Sequence, residues 1–412
     1  MLWGQDVATT ACAADEPELV VVKVGGSSLG TQDQLDAVAR RLVHLHEEGK
    51  RVVCVLSARG RTTDRLLRLA RSMAAEPDPR ELDALLAVGE SLSCALAAIR
   101  IRALGHEAVS LDGAQAGIAT DARHGSATIV EVRPERILAE LDRRRIVLVT
   151  GFQGRSPAGD VTTLGRGGSD LTAVALAVVL GAAHCEICTD TDGVFTADPR
   201  VVPEARRLPE LDVDEVVELA GAGAHVLQAR AAELAQAERV PIHIRSTFAD
   251  GSGTWIVAKG GGMVEKSAVV GVAHTPSELL FRIRGIDTAG LLAAAAPGDV
   301  RLVAEAGAGV VAAVASESRR ALEAALEPLG ASWTVEEIGS VSVVGHGLSG
   351  GNQVASAVVS TLHELGVRPV LAATSPMRIT VHLPREDVER TVRALHTALG
   401  LDREFGEATC AA

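Results

Sequence analysis

Short apolar runs alternate with longer polar or amphipathic segments through the first half of the chain. A run of four to eight apolar residues between turn signals is typical of a buried strand. Leu171–Leu180 is longer, and it predicts an apolar helix that ends at Gly181. Because strands and helices alternate, the pattern predicts an α/β fold around a mainly parallel sheet. The predicted strands are Leu19–Val24, Val52–Leu56, Ile146–Thr150 and His184–Thr189.

One long amphipathic helix is predicted over Glu81–Leu104, where apolar residues recur with helical spacing. Gly89 lies inside this helix and costs about 1 kcal/mol relative to Ala, so it indicates the close approach of a neighbouring element. Glu90 lies about 100° around the helix from the apolar stripe, which by itself predicts a solvated side chain. The stripe consists of Leu82, Leu85, Leu92, Leu96 and Ile99.

A change of composition at Ala249–Gly262 predicts a domain boundary. The segment 268–329 reads as a looser copy of the strand–helix–strand–strand–helix module that follows it. We therefore predict a large domain at residues 18–250 and two small α/β modules at 265–335 and 336–404. The second module is predicted from a strand at Val341–Val344, a helix face from Val354 to Leu365, a strand at Met377–Leu383 and a helix face from Val388 to Leu399.

Acidic residues outnumber basic ones, 53 against 40, and give a net charge of −13. This charge, with only 2% aromatic residues, argues against nucleic acid or an anionic membrane as the main partner. The 47% of hydrophobic residues allows a large core. The first 17 residues lack the features of a signal peptide, and no run of 18 apolar residues predicts a membrane span.

The spacing of Cys185 and Cys188 gives a CxxC pattern inside a predicted strand. Side chains three residues apart in a strand face opposite sides, so the two thiols do not converge on one ligand. No second cysteine pair accompanies them. We therefore predict buried thiols in a reducing cytoplasm rather than a metal or redox site.

Three glycine-rich turns follow predicted strands or precede a predicted helix: Lys23–Ser28, Gly165–Asp170 and Thr189–Gly193. Backbone N–H groups in such turns bind phosphate oxygens, and three turns in one α/β layer favour a nucleotide site. Lys23 precedes the first turn, in a chain with only four Lys among its 40 basic residues. Since lysine is rare here, its use at this position indicates a compact ammonium facing an anion.

Acidic residues at the other two turns have more than one interpretation. Ser169 and Asp170 stand at the head of the apolar helix and are typical of helix caps. Asp190 and Asp192 are either turn formers or Mg²⁺ ligands. The pattern of residues leaves these alternatives open.

Longer motifs in the chain resemble the aspartate kinase family. Two are long and specific, DVTTLGRGGSD at Asp160–Asp170 and TDTDGVFTADPR at Thr189–Arg200. All of the motifs stand in the family's order across Leu19–Trp255, and the region from Ser340 to Leu399 resembles an ACT module of that family. The shorter motifs are KVGGSSLG at Lys23–Gly30, SARGRTTD at Ser57–Asp64, VGES at Val88–Ser91, RHGSA at Arg123–Ala127, GFQG at Gly151–Gly154 and VPIHIRST at Val240–Thr247.

The resemblance implies an amino-acid-kinase fold, a three-layer sandwich with a mainly parallel central sheet, followed by two small ACT-like modules of which the first is degenerate. It implies that MgATP and L-aspartate react to give 4-phospho-L-aspartate and MgADP, the first step of the aspartate-family amino-acid pathway that leads to lysine and threonine. It further implies a cytoplasmic homo-oligomer that associates through its ACT modules. The partners are thus small-molecule substrates, with neither nucleic acid nor membrane.

The resemblance also assigns roles to residues at matching positions. Lys23 and Asp170 are the implied catalytic residues, with Asp170 orienting Lys23 or the metal. Arg166 would bind the α-carboxylate of aspartate, and Glu90 its α-amine. The other residues of the implied aspartate pocket are Ser57, Thr63, Phe152 and Ser169. The implied nucleotide-binding residues are Lys23, Gly25, Gly26, Ser27, Thr189, Asp190, Phe195 against the adenine, Arg200 near the phosphates, and His225.

Some residues depart from the family pattern. His225 stands where the family commonly has a Lys that contacts ATP phosphates, which leaves open a catalytically weak, ligand-sensing homologue. Arg59 and Arg61 replace more neutral or acidic residues, which leaves open a kinase for another small amino-acid carboxylate. The effector-binding pattern is not recognisable in the ACT-like region, where Ala372–Pro376 replaces a stretch that usually ends in Glu. We therefore predict weak or lost feedback control by lysine or threonine.

Overall fold

The structure is a computed structural model that describes residues 17–224, 227–249, 251–258, 268–295, 300–307, 309–348 and 352–403. Packing divides the chain into two units, which are described separately below. The first unit comprises Met1–Val194, Pro209–Val213 and Leu227–Lys259, and the second comprises Phe195–Leu208, Asp214–Val226 and Gly260–Ala412.

The elements are numbered in chain order. The strands are β1 (Leu19–Val24), β2 (Arg51–Leu56), β3 (Ala108–Leu111), β4 (Ile118–Thr120), β5 (Ile129–Val132), β6 (Ile146–Thr150), β7 (Gln153–Arg155), β8 (Val161–Thr163), β9 (Cys185–Thr189), β10 (Val194–Phe195), β11 (Arg207–Leu208), β12 (Glu210–Asp212), β13 (Ile242–Ser246), β14 (Thr254–Val257), β15 (Ala268–Arg284), β16 (Val300–Ala306), β17 (Gly309–Ala315), β18 (Ser332–His346), β19 (Leu371–Thr374) and β20 (Arg378–Pro384). The helices are α1 (Gln32–Glu47), α2 (Thr62–Met73), α3 (Pro79–Leu86), α4 (Val88–Ala103), α5 (Glu135–Asp142), α6 (Gly168–Leu180), α7 (Val213–Gly221), α8 (Ala229–Glu238), α9 (Thr288–Ala294), α10 (Arg319–Leu326), α11 (Asn352–Glu364) and α12 (Val388–Ala398).

The first unit is built on an eight-stranded sheet in the order β12-β14-β13-β9-β1-β2-β6-β3. Every neighbouring pair is parallel except β13 and β14. The predicted α/β fold with a mainly parallel sheet is therefore confirmed. Parallel strands share one carboxyl edge, so the turns after β1, β2, β6 and β9 meet there, where open α/β sheets bind ligands. A smaller sheet in the order β5-β4-β7-β8 also belongs to this unit.

The predicted single helix over Glu81–Leu104 is wrong in two respects. The chain forms two helices there, α3 and α4, separated at Ala87, whose carbonyl accepts a hydrogen bond from Gln153 Nε2 at 3.0 Å. The buried face is also different, since Leu92 and Ile99 are 46% and 64% exposed. α4 instead buries a face of mostly small side chains, which lets the helix lie close to the sheet. The buried residues of α4 are Gly89, Glu90, Ser93, Cys94, Ala97, Ala98 and Ile101.

One helical segment of the described residues, Pro79–Ala103, is long and apolar enough to cross a membrane by length and composition alone. Core helices pass the same test. Cys94, Ala97 and Ile101 of this segment lie in the core cluster that also includes strands β1 and β2. The segment is therefore weak evidence of a membrane span.

The second unit contains a six-stranded sheet in the order β16-β17-β15-β18-β20-β19, in which every neighbouring pair of strands is antiparallel. Two modules of the order strand–helix–strand–strand–helix lie side by side in it and share the long pairing of β15 with β18. The second module begins with β18 and ends with α12, as the sequence predicts. The domain boundaries at 250, 265 and 335 stay predictions.

Candidate active site

Lys23 is the centre of a charged cluster at the carboxyl edge of the first unit's sheet. It occupies the penultimate position of β1, between β2 and β9. Its Nζ lies 2.7 Å from Oδ1 of Asp170, and the two side chains are only 13% and 12% exposed. A Cβ built on Gly25 would lie 3.5 Å from the same Nζ. The ammonium therefore faces the first glycine turn and the beginning of α6.

The first glycine turn is packed too tightly for a side chain. A Cβ on Gly26 would overlap the carbonyl oxygen of Ala58. The carbonyl of Gly26 accepts a hydrogen bond from the N–H of Gly60 at 2.8 Å, which joins this turn to the loop after β2. Ser27 is exposed beside it. The loop after β1, the strand that carries Lys23, is thus joined to the loop after β2.

The second glycine turn leads directly into α6. Gly167 has φ +74° and caps the helix, and a Cβ there would lie 2.6 Å from Cγ of Gln228. Ser169 and Asp170 occupy the buried first turn of the helix. The partial positive charge of a helix N-terminus favours anions at this point. Oδ2 of Asp170 accepts a hydrogen bond from the backbone N–H of Gln228 at 3.4 Å.

Glu90 is a buried carboxylate, 3% exposed, and not the solvated side chain that its helical position predicts. Its Oε1 accepts a hydrogen bond from the N–H of Ala58 at 3.0 Å. Oε2 has no hydrogen-bond partner among the described residues. Burial raises the pKa of Glu90 to about 7. A cationic group bound at Oε2 would stabilise the ionised form.

The close approach predicted at Gly89 is confirmed. A Cβ on Gly89 would lie 2.7 Å from Cβ of Ala58. The absence of a side chain therefore lets α4 come within reach of the loop after β2. This contact brings Glu90 to the Ala58 amide.

Phe152 has an unusual backbone conformation for a bulky residue, with φ +70°. Its N–H donates to Oγ1 of Thr172 at 3.2 Å, and its carbonyl accepts from the N–H of Leu164 at 2.8 Å. These bonds hold the turn after β6 against the first turns of α6, where Gly168 comes close to the Phe152 backbone. Strained residues of this kind concentrate at functional sites.

The remaining residues of the implied aspartate pocket also belong to the first unit. The N–H of Ser57 donates to the carbonyl of Val24 at 3.2 Å, so Ser57 starts the loop directly after β2. Thr63 lies half-buried in the first turn of α2. Arg166 is exposed between Gly165 and Gly167, both of which have positive φ.

The additional arginines near these loops are engaged with the protein. Arg59 donates from Nε to the carbonyl of Leu29 at 2.8 Å. Arg61 is 83% exposed and lies 3.5 Å from Asp64. Arg230 donates to the carbonyls of Leu164 and Ala127 at 3.0 and 3.2 Å. Arg59 and Arg230 therefore stabilise loops.

The implied nucleotide-binding residues are divided between the two units. Thr189 ends β9, with its hydroxyl donating to the carbonyl of Thr191 at 2.7 Å, and Asp190 is exposed in the turn after it. Phe195 and Arg200 belong to the second unit. Arg200 is paired with Asp198 at 2.9 Å. His225 lies outside the described residues.

The prediction of buried thiols at the CxxC is confirmed. Cys185 and Cys188 are fully buried free cysteines. Burial raises the pKa of both thiols, which disfavours the reactive thiolate. Within the part of the chain that the structure describes, no group of three or more His, Cys, Asp or Glu side chains could hold a metal ion.

Comparison with known proteins accounts for this arrangement. A sequence profile of the amino acid kinase family matches residues 18–246, and an ACT domain profile matches residues 341–399. The chain is 42% identical to the aspartokinase of Mycolicibacterium smegmatis, over 93% of this chain and 96% of that protein. It is 40% identical to the aspartokinase of Corynebacterium glutamicum, over 94% and 97% respectively. The chain belongs to the aspartokinases of the amino acid kinase family.

The fold of this protein matches that of a solved aspartokinase structure. The crystal structure of Escherichia coli aspartokinase III in complex with aspartate and ADP matches with a TM-score of 0.79 and 25% identity. The match covers 93% of this chain and all of that one. The predicted amino-acid-kinase fold and its family are therefore confirmed.

Asp83 is a residue of this aspartokinase that the sequence reasoning missed. It is 1% exposed on α3 and accepts hydrogen bonds from the N–H and hydroxyl of Thr163 at 3.0 and 2.5 Å. It also accepts from the N–H of Gly125 at 3.0 Å and lies 2.8 Å from Nδ1 of His124. Asp83 thus joins the RHGSA loop to the strand before the second glycine turn. The only signal in the sequence is a carboxylate between Leu82 and Ala84, within the predicted helix.

Proposed function

We propose that this aspartokinase transfers the γ-phosphoryl group of ATP to the side-chain carboxylate of L-aspartate, giving 4-phospho-L-aspartate and ADP. The observation that carries the proposal is the Lys23–Asp170 pair, with the ammonium beside Gly25 and the N-terminus of α6. The curated relatives named aspartokinase, and a matching structure that holds aspartate and ADP, support the same reaction.

The charges of the reactants explain the need for Lys23. A substrate carboxylate has a reference pKa of about 3.9 and is ionised at pH 7, so it needs no general base. It must instead approach a negatively charged phosphate. Two like charges 4 Å apart repel by about 1 kcal/mol in water and about 4 kcal/mol at an effective dielectric constant of 20. In a site shielded from water, a fixed ammonium and backbone N–H donors lower this cost.

Asp170 positions the ammonium in this mechanism. One carboxylate oxygen pairs with Lys23 and the other accepts from the Gln228 amide. Both oxygens are thus engaged with the protein, which suits an orienting role and not proton abstraction from the substrate.

We propose that Glu90 and Arg166 recognise the amino-acid part of aspartate. The unpartnered Oε2 of Glu90 would bind the α-ammonium, since an adjacent cation would offset the burial that raises its pKa. Arg166 would bind the α-carboxylate with two parallel hydrogen bonds. Ser57, Thr63, Phe152 and Ser169 would line the rest of the pocket.

The nucleotide is proposed to bind as MgATP. Mg²⁺ usually keeps several waters and takes its other ligands from substrate phosphates and one or two carboxylates. We assign Mg²⁺ to the substrate MgATP and name no protein ligand for it. The glycine turn at Gly25, Gly26 and Ser27, with Thr189, Asp190, Phe195, Arg200 and His225, would bind the nucleotide.

Two alternatives from the sequence remain to be tested. A substrate panel with detection of ADP tests a kinase for another small amino-acid carboxylate, and aspartate-dependent ADP release that vanishes in Lys23→Ala would exclude a catalytically weak, ligand-sensing homologue. Arg59 and Arg61 are the residues that suggest a different acceptor substrate. In the structure, however, Arg59 donates to backbone carbonyls and Arg61 lies beside Asp64. Aspartate therefore stays the preferred acceptor. Association through the ACT modules and a cytoplasmic location are part of the same proposal.

The decisive experiment measures ADP release that depends on aspartate. We expect Lys23→Ala to lower kcat by about 100- to 1000-fold, the usual effect of removing a charge-stabilising donor from a phosphoryl or acyl transfer site. Lys50→Ala is the matched control, because Lys50 lies at the other end of the neighbouring strand and pairs with Glu48 at 3.2 Å. A wild-type protein without aspartate-dependent ADP release, or a fully active Lys23→Ala variant, would refute the proposal.

A further inference from the structure

Part of the TDTDGVFTADPR motif belongs to the second unit. The segment Phe195–Leu208 contains Phe195 and Arg200, the residues proposed to bind adenine and phosphate, and it packs with the C-terminal module. We call residues 195–208 the nucleotide-side segment. Its contacts with α12 are the basis of the inference below.

The first contact is a buried hydrogen bond. Oγ1 of Thr196 lies 2.9 Å from Nε2 of His396, a residue of α12. The same Oγ1 accepts from the N–H of Arg206 at 2.9 Å. Thr196 and His396 are 0% and 1% exposed. A hydroxyl donates one hydrogen bond while accepting others, so Thr196 can donate to a neutral imidazole and still bind the Arg206 amide. Burial lowers the pKa of His396, which favours that neutral ring.

Two further hydrogen bonds fasten the segment to the C-terminal end of the chain. Nε of Arg393, one turn before His396 on α12, donates to the carbonyl of Val201 at 2.9 Å. Nε of Arg206 donates to the carbonyl of Leu401 at 2.9 Å. The segment is therefore held at three points along its length.

Apolar packing supports these bonds. Ala197, Val201 and Val202 are buried in one core cluster with Val392 and Leu395 of α12. The segment is thus part of the hydrophobic core of the C-terminal module. Its backbone is constrained directly after Phe195 and again directly after Arg200.

We propose that α12 holds the nucleotide-side segment in its binding conformation, and that His396 is a positioning residue for ATP. This inference rests on the proposed function, because it takes Phe195 and Arg200 as nucleotide contacts. His396 does not touch the nucleotide in this scheme. It fixes Thr196 and thereby the backbone that carries Phe195. Affinity for ATP would then depend on the packing of an ACT module, while the aspartate pocket would not.

The test compares the Michaelis constants for ATP and aspartate in the full-length chain. His396→Ala is expected to raise the KM for ATP about 3- to 10-fold, the range given by one lost hydrogen bond, with the KM for aspartate within about twofold of wild type. His396→Gln, whose amide reaches the position of Nε2, should recover most of the ATP affinity. His363→Ala is the matched control, since His363 is exposed on the neighbouring helix α11.

A second variant covers the case in which His396→Ala does not fold. Thr196→Val removes only the hydroxyl and should give the same selective rise in the KM for ATP, whereas Thr196→Ser should not. An unchanged KM for ATP in folded His396→Ala or Thr196→Val, or an equal rise in both constants, would overturn the inference. Such a result leaves the proposed function standing if wild-type ADP release depends on aspartate; loss of that dependence would instead refute the proposed function.

Discussion

Glu90 is the residue whose environment in the structure differs most from the environment that the sequence pattern predicts for it. A carboxylate held near its midpoint of ionisation at neutral pH responds to small changes in pH and to a bound cation. The pKa of about 7 arises from burial, opposed by the backbone N–H of Ala58. The folded protein therefore disfavours the charge that the substrate amine would require.

The pH dependence of stability should reveal this cost. The pKa of Glu90 is higher in the folded state than its ordinary value of 4.5, so this group destabilises the fold above pH 7 and the penalty fades as the pH falls toward 4.5. Its share is up to about 3 kcal/mol between these limits. The free energy of unfolding, measured with urea at pH 5 and at pH 8, should differ less between the two pH values in Glu90→Gln than in wild type. The exposed Glu76→Gln is the control, and equal differences in Glu90→Gln and wild type would contradict the assignment.

Glu90 should also act on one substrate only. Because a charged hydrogen bond to the α-ammonium contributes about 1.5–3 kcal/mol, Glu90→Gln should raise the KM for aspartate about 10- to 100-fold. The KM for ATP should stay within about twofold. Steady-state kinetics with each substrate varied in turn measures both constants. A rise in the KM for ATP alone would instead show that Glu90 contributes to nucleotide binding.

At the scale of elements, close backbone approach builds the site. Gly89 of α4 packs on Ala58, and Gly26 after β1 packs on the Ala58 carbonyl. The loop after β2 is therefore held between a helix and a turn that are distant in sequence. The Ala58 amide at that point is the donor to Glu90.

The contact between Gly89 and Ala58 gives a prediction about stability. Gly89→Ala should gain about 1 kcal/mol of helix propensity, but the added methyl group would lie 2.7 Å from Cβ of Ala58. We expect net destabilisation of about 1–3 kcal/mol, as is usual for overpacking, measured by urea unfolding. Ala58→Gly should recover stability in the double variant. A more stable Gly89→Ala single variant would show that α4 shifts without cost.

At the scale of the whole molecule, the property that remains to be measured is regulation by effectors. The second unit has two modules of one order in a continuous sheet, and β19 is an edge strand of that sheet. The stretch Ala372–Pro376, which departs from the family pattern, begins within this edge strand. Effector binding is therefore the feature in which we expect this chain to differ from its relatives.

Millimolar lysine plus threonine should leave aspartate-dependent ADP release largely unchanged. The reason for this expectation is that the family's effector-binding pattern is not recognisable in the ACT-like region of the sequence. The assay adds each amino acid alone and both together at aspartate concentrations near KM. Strong inhibition by either amino acid would contradict the prediction of weakened feedback control.

The order of elements and the glycine turns could be predicted from the sequence, because both depend on local properties. Apolar runs such as Leu19–Val24 are buried wherever a sheet forms, and Gly181 ends α6 with φ +63° because the left-handed conformation suits glycine. The family motifs extended this to the reaction. The buried face of α4 was mispredicted because the prediction followed the spacing of the large apolar side chains. In the structure, the face of α4 that packs against the sheet carries mostly small side chains.

Apolar periodicity and glycine spacing by themselves predicted an α/β fold with Lys23 at a phosphate-binding turn. The family motifs in the sequence extended this prediction to a kinase. Only the tertiary structure decided that Asp170 pairs with Lys23, that Glu90 is buried on the Ala58 amide, and that Asp83 joins two loops. It also decided that Thr196 meets His396, two hundred residues away. These contacts join segments that are remote along the chain, and their energies depend on distance and burial, which no local pattern encodes.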